Sequence, residues 1–297
     1  MITWVSALGL DLLAGEPPAR LHPVVWIGRS ISWLEARAPR APRSALLFGM
    51  LIAALPACAA AVVGVLVGRL RCGPVRLLLS IWLLKATFSV RGLLDASRSV
   101  EERLVAEDLP GARDGLRSLV SRDRCSLDRA HIASAAIESV SENLSDSYVA
   151  PLFWYAVGGL PAALAYRAIN TADAMVGYRG HYEYLGKASA RADDAANLIP
   201  ARISGLALVA GAPFARSTAV SAAEVMRRDH GRTSSPNAGW PMAAAAGALG
   251  IWLEKIDHYR LGHGRDPAAS DIRAVRGLAI AAAGLCTVVA FGVRARR

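Results

Sequence analysis

Between residues 138 and 202 the chain carries acids, amides and arginines at spacings that suit oxygen-ligand chemistry. Glu138, Glu142 and Asp146 recur every four residues, so a helix over Leu127–Asp146 sets them on one face. Like carboxylates so placed repel unless a cation or an arginine stands between them, which makes them candidates for metal binding or acid/base work; an acidic solvated face is the plainer alternative. Tyr166–Arg179 reads YRAINTADAMVGYR. Asn170 and Asp173 form an N-x-x-D pair on one helical face, and Arg167 can fork onto phosphate or carboxylate. Arg191–Arg202 reads RADDAANLIPAR, in which Asp193, Asp194 and Asn197 put three oxygen donors at one helix surface. Magnesium takes such hard ligands while it bridges substrate phosphates. Arg191 and Arg202 flank the cluster, and Pro200 is expected to end the helix.

Two loops add polar groups. Gly15-Glu16-Pro17-Pro18 forces a turn before His22-Pro23-Val24, and His22 is a candidate acid or base, although a lone histidine is more often structural. Ser234–Pro241 reads SSPNAGWP, a rigid turn that presents Ser235 and Asn237 either as phosphate ligands or as helix caps. No nucleotide P-loop, nucleophile elbow, H-E-x-x-H or dinucleotide fingerprint occurs. The four cysteines include no C-x-x-C, so neither a zinc site nor a disulfide framework is indicated.

The elements that position these residues are apolar. Of 297 residues 54% are hydrophobic and 20% charged, the net charge is +10, and the mean hydropathy is +0.32. That combination excludes a disordered or acidic solvating chain. Ala45–Gly68 runs without a charge for longer than the roughly 20 residues that cross a bilayer core. Val275–Val293 is a second candidate span. Weaker ones are Val75–Leu94, where Lys85 must snorkel or pair inside a bundle, Tyr148–Tyr166, Ile203–Ala215 and the uncleaved first helix Ile2–Ala14. The reading is an all-α polytopic membrane protein with four to six membrane segments, a single embedded domain over residues 1–297, and an extramembrane helical insertion over 95–147. The long charged segment is expected on the cytoplasmic face of the cell (inner) membrane. Lys85, Lys187 and Lys255 are the only lysines, and no motif or aromatic platform accompanies the arginines, so nucleic acid is not an expected partner.

Six segments in order resemble the cobinamide-phosphate synthase family of cobalamin biosynthesis over nearly the whole chain. They are LGLDLLAGEPPARLHPVVWIG (Leu8–Gly28), SRDRCSLD (Ser121–Asp128), AAIESVSENLSDSYVAPLFW (Ala135–Trp154), YRAINTADAMVGYR (Tyr166–Arg179), ARADDAANLIPAR (Ala190–Arg202) and SPNAGWPMAAAAGALG (Ser235–Gly250). The resemblance implies an amide-forming ligase joining adenosylcobyric acid to (R)-1-amino-2-propanol phosphate, with ATP and Mg²⁺ as co-reactants. It also implies a lipid bilayer as partner, and is compatible with a homo-oligomer or a complex with other cobalamin-pathway enzymes.

For that chemistry Glu138, Glu142, Asp146 and His22 are the candidate catalytic groups. Asp173, Asp193, Asp194 and Asn197 are the candidate metal ligands, and Arg122, Arg167, Arg179, Arg191, Arg202, Ser235 and Asn237 the candidate phosphate ligands. The chain departs from the family's pattern at Glu16 (commonly Asp), Arg124 (Thr), Met242 (Glu) and Glu254-Lys255 (Gly-Gly). A magnesium-dependent prenyl or phospho-transferase, and a non-catalytic scaffold for corrinoid binding or transport, are the competing readings of the same residues.

Overall fold

The computed structural model describes residues 1–120, 123–178, 180, 182–215 and 218–295. Among them are twelve α-helices: α1 (Ile2–Ala14), α2 (Pro23–Glu35), α3 (Pro42–Gly68), α4 (Gly73–Lys85), α5 (Val90–Val105), α6 (Leu109–Gly115), α7 (Arg129–Leu144), α8 (Ala150–Val176), α9 (Lys187–Gly211), α10 (Ala219–Asp229), α11 (Gly239–Leu249) and α12 (Ala269–Ala295). Starts are set locally. Prolines occupy the first turn of α2, α3 and α4, and Asp128 caps α7 by accepting the His131 N–H at 2.9 Å.

Among the described residues five segments are long and apolar enough to cross a membrane: Pro42–Gly68, Gly73–Val105, Arg129–Val176, Lys187–Phe214 and Ala269–Gly292. Their outward faces are greasy, with Leu47 at 65% exposure on α3 and Val288 at 72% on α12. Water would penalise such surfaces, whereas lipid does not.

By internal contacts the chain forms two units, Met1–Ser89 with Ala150–Asn197, and Val90–Val149 with Leu198–Arg297. In the first, α3 lies against α8, and the approach is close because Gly64 faces Pro161: an added Cβ would come within 2.7 Å of the Pro161 backbone. Ile31, Leu34, Ile52, Ala172, Val176 and Leu185 make a core cluster there, and Trp4 packs on Phe88 and Tyr155. In the second, α7 is buried on nearly every side, and α12 packs against it and against α5. Buried Glu101 receives Arg273 Nε at 2.8 Å and the Arg276 guanidinium, which neutralises an arginine inside an apolar helix.

One detail departs from the expectations, and three others shape the helices. Pro200 does not end α9, which continues to Gly211: a buried proline removes one ladder bond, and the Ala196 carbonyl so freed accepts the Trp154 indole N–H at 3.2 Å. The candidate span Val75–Leu94 lies within Gly73–Val105, with a break between Lys85 and Val90 where Thr87 Oγ1 bonds the Leu84 carbonyl. Helix α8 is interrupted at Gly158-Gly159, the latter at φ 67°, a left-handed value that only glycine takes cheaply. The apolar run from Met242 is helical only to Leu249. Helix α11 stops at left-handed Gly250, and the chain makes a two-stranded ribbon, β1 (Leu253–Lys255) against β2 (Tyr259–Leu261).

Candidate functional site

In the first unit α8 and α9 bring five of the expected residues together. Asp193 is the centre. Its Oδ1 accepts Asn170 Nδ2 at 3.2 Å and its Oδ2 accepts Asn197 Nδ2 at 3.0 Å. The amide oxygens are themselves engaged: Asn170 Oδ1 accepts Arg167 Nη1 at 3.2 Å, and Asn197 Oδ1 accepts Tyr166 Oη at 2.9 Å. The array Arg167–Asn170–Asp193–Asn197–Tyr166 is therefore continuous, and Tyr166 and Asn197 are fully buried within it. Asp194 and Asp173 lie within electrostatic reach of Asp193 and of each other. Trp154 Nε1 ties α8 to the Ala196 carbonyl at 3.2 Å, which holds the two helices in this register.

Oxygen is the only donor type these acids and amides offer. A carboxylate has about four acceptor sites, so two amide bonds leave Asp193 capacity for a cation. Among the described residues no three His, Cys, Asp or Glu side chains are grouped closely enough to cage a metal. Magnesium does not need a cage, since it binds through one or two carboxylates, keeps waters and takes phosphate oxygens from substrate. The donor set fits that use.

The same unit holds His22. Its Nδ1 accepts the Val24 N–H at 3.2 Å, which puts the ring proton of the neutral form on Nε2, 2.8 Å from Glu16 Oε2. Lys85 is almost wholly buried between Asp11 Oδ1 at 3.1 Å and Glu16 Oε2 at 2.6 Å, so it pairs inside the bundle rather than snorkelling. Burial raises the Glu16 carboxyl, but hydrogen bonds from His22, Lys85 and Ser89 outweigh it and hold the pKa at about 2.

The second unit divides the remaining candidates. Glu138 is buried; its Oε1 accepts Ser134 Oγ at 2.8 Å and its Oε2 accepts Tyr259 Oη at 2.7 Å. Ser134 Oγ also receives the Glu254 N–H at 2.8 Å, so the ribbon is docked onto α7 through one carboxylate. Glu142 follows on α7, but Asp146 falls in a π-turn, Ser145–Val149, whose wider spiral breaks the fourfold spacing read from the sequence. Met242, fully buried, puts its thioether 3.9 Å from Tyr259 Oη. Arg202, Asn237 and Ser235 form a separate group. Arg202 Nη1 donates to Asn237 Oδ1 at 3.2 Å, and Ser235 Oγ accepts the Asn237 N–H at 3.2 Å. Arg191 is exposed on α9. Arg122 and Arg179 lie outside the described residues.

Tyr166, Tyr259, Ser134 and Lys85 with its two acids were not singled out as site residues. Only Lys85 gave a signal, as a cation inside an apolar run. Tyr259 lies 121 residues from its partner Glu138, and no spacing links them.

Fold and site together define a polytopic helical protein that keeps a hydrogen-bonded acid–amide array within helices apolar enough to span a membrane. Residues 4–283 match the family described as CobD/Cbib protein, and the chain belongs to that family. It is 42% identical over 272 residues to the cobalamin biosynthesis protein CobD of Dehalococcoides mccartyi, covering 88% of this chain and 86% of the relative. It is 40% identical over 274 residues to a probable CobD of Pyrococcus furiosus (92% and 91% covered) and 37% identical over 280 residues to one of Methanocaldococcus jannaschii (92% and 91%). No solved structure matches the chain. A role in cobalamin biosynthesis follows from the family.

Proposed function

We propose that the protein is an amide-forming ligase that joins the propionate carboxyl of adenosylcobyric acid to (R)-1-amino-2-propanol phosphate, consuming ATP with Mg²⁺. Family membership supports the pathway, and the observation that carries the chemistry is the array centred on Asp193. A carboxylate is a poor electrophile. Transfer of the γ-phosphoryl group of ATP to it gives an acyl phosphate and ADP; the neutral amine then attacks the acyl carbon, phosphate leaves, and one proton is released. Asp193, with Asp194 and Asp173, would hold magnesium, which neutralises phosphate charge. Asn170 and Asn197 fix the Asp193 carboxylate by both oxygens, Tyr166 and Arg167 fix the amides in turn, and Arg167 adds positive charge beside the acids. The corrinoid, the aminopropanol phosphate and the bilayer are the partners on this reading. The protein resides in the cell membrane, with its polar loops toward the cytoplasm where ATP is available.

Purified protein in lipid nanodiscs, given both substrates, ATP and Mg²⁺, should form the amide and ADP. Asp193→Asn should lower turnover roughly 100-fold or more while the protein still inserts. Unchanged turnover removes the metal assignment. Consumption of a prenyl diphosphate without ATP, or corrinoid binding without any ATP consumption, would replace this reading with a transferase or a scaffold.

A further inference from the structure

Most ion pairs in the second unit use up an arginine. Arg228 and Arg232 hold Asp229, Arg265 holds Asp271, and Arg273 with Arg276 holds Glu101. Arg202 differs. Its acceptors among the described residues are neutral, the Leu198 carbonyl at 2.6 Å and Asn237 Oδ1 at 3.2 Å, and both are reached from Nη1. A guanidinium has five N–H groups, so the Nε and Nη2 edge, the fork that grips phosphate bidentately, has no acceptor among those residues. The fork is also held still. Its carbon lies 4.9 Å from the centroid of the Trp240 ring, and that ring packs on His230 at 4.1 Å.

A second observation points the same way. The Trp240 indole Nε1 is buried and has no acceptor among the described residues, which is costly unless something supplies one. Trp240 stands in the first turn of α11, the helix end with positive partial charge.

The structure assigns to Arg202, Asn237 and Trp240 a subsite for a phosphate monoester bound without metal, the phosphate of the amine substrate. This deepens the ligase reading and rests on it. The two groups of residues differ in sign. Asp173, Asp193 and Asp194 repel a bare phosphate and accept one that arrives with a divalent cation. Among the described residues Arg202 is paired with no carboxylate, so it attracts a phosphate dianion directly. The nucleotide therefore belongs with the acids, and the small amino-alcohol phosphate with Arg202.

The test is calorimetric titration of the full chain in nanodiscs with O-phosphoethanolamine in EDTA, alongside Mg·ATP binding. Wild-type protein should bind the monoester without metal. Arg202→Gln, which keeps a donor for Leu198 and Asn237 but loses the charged fork, should weaken it about tenfold or more and leave Mg·ATP binding unchanged. Asp193→Asn should do the reverse. A metal requirement for the monoester, equal binding by Arg202→Gln, or loss through Asp193→Asn would overturn the assignment. Equal binding of glycerophosphoethanolamine, a diester, would overturn it too, by making the pocket a lipid-headgroup site. Amide formation by the wild-type protein is measured separately, so the subsite can fail while the ligase reading stands, and the converse.

Discussion

Glu138 illustrates what a buried carboxylate needs. Neither oxygen meets an arginine in the hydrogen bonds described above; each takes a neutral hydroxyl, from Ser134 and Tyr259. Removing one donor from a buried acid costs its desolvation, about 1–3 kcal/mol. Tyr259→Phe should therefore lower unfolding stability by about that much, read by denaturant titration, and an unchanged midpoint would mean that the carboxylate finds another donor. Glu16 is the opposite case, an acid held ionised. Its folded pKa of about 2 lies below the ordinary 4.5, so its contribution is complete above pH 4.5 and is lost as pH falls from 4.5 towards 2. Glu16→Gln should lower the melting temperature near neutrality, and the gap from wild type should shrink between about pH 5 and pH 3. A gap independent of pH would assign the effect to packing.

At the scale of elements, small residues decide how closely helices approach. Gly64 meets the Pro161 backbone, so Gly64→Val must push α3 from α8 and should cost about 1–3 kcal/mol by thermal unfolding in detergent; no loss would mean that the pair can slide. This scale also separates what the sequence discloses from what it hides. The long spans were readable because Ala45–Gly68 and Val275–Val293 are nearly uncharged over membrane lengths. The acid–amide array was readable because Asn170, Asp173, Asp193, Asp194 and Asn197 fall at helical spacings on two nearby segments. Pro200 misled because proline's breaking tendency assumes water around the carbonyl it frees, that of Ala196, whereas here the Trp154 indole N–H serves it. The ribbon that carries Tyr259 to Glu138 was invisible, since a three-residue strand has no period to detect and its contact is long-range.

For the molecule as a whole, the thiols report on the membrane. Cys72 and Cys125 are exposed in loops, and Cys58 is exposed midway along α3. If α3 crosses the bilayer, Cys58 faces hydrocarbon, which a water-soluble reagent does not enter. A water-soluble maleimide added to opened membranes should label Cys72 and Cys125 but reach Cys58 only after denaturation. Equal labelling of all three would place α3 in water.

The Lys85 contacts carry a consequence for the order in which the chain is made. Lys85 follows Glu16 by 69 residues, and at about 5–20 residues per second a ribosome needs several seconds to cover that distance. During that interval α1 has been made, and the lysine that pairs with its buried Asp11 in the finished fold does not yet exist. Synthesis of α4 therefore sets the earliest moment at which these amino-terminal ion pairs can form.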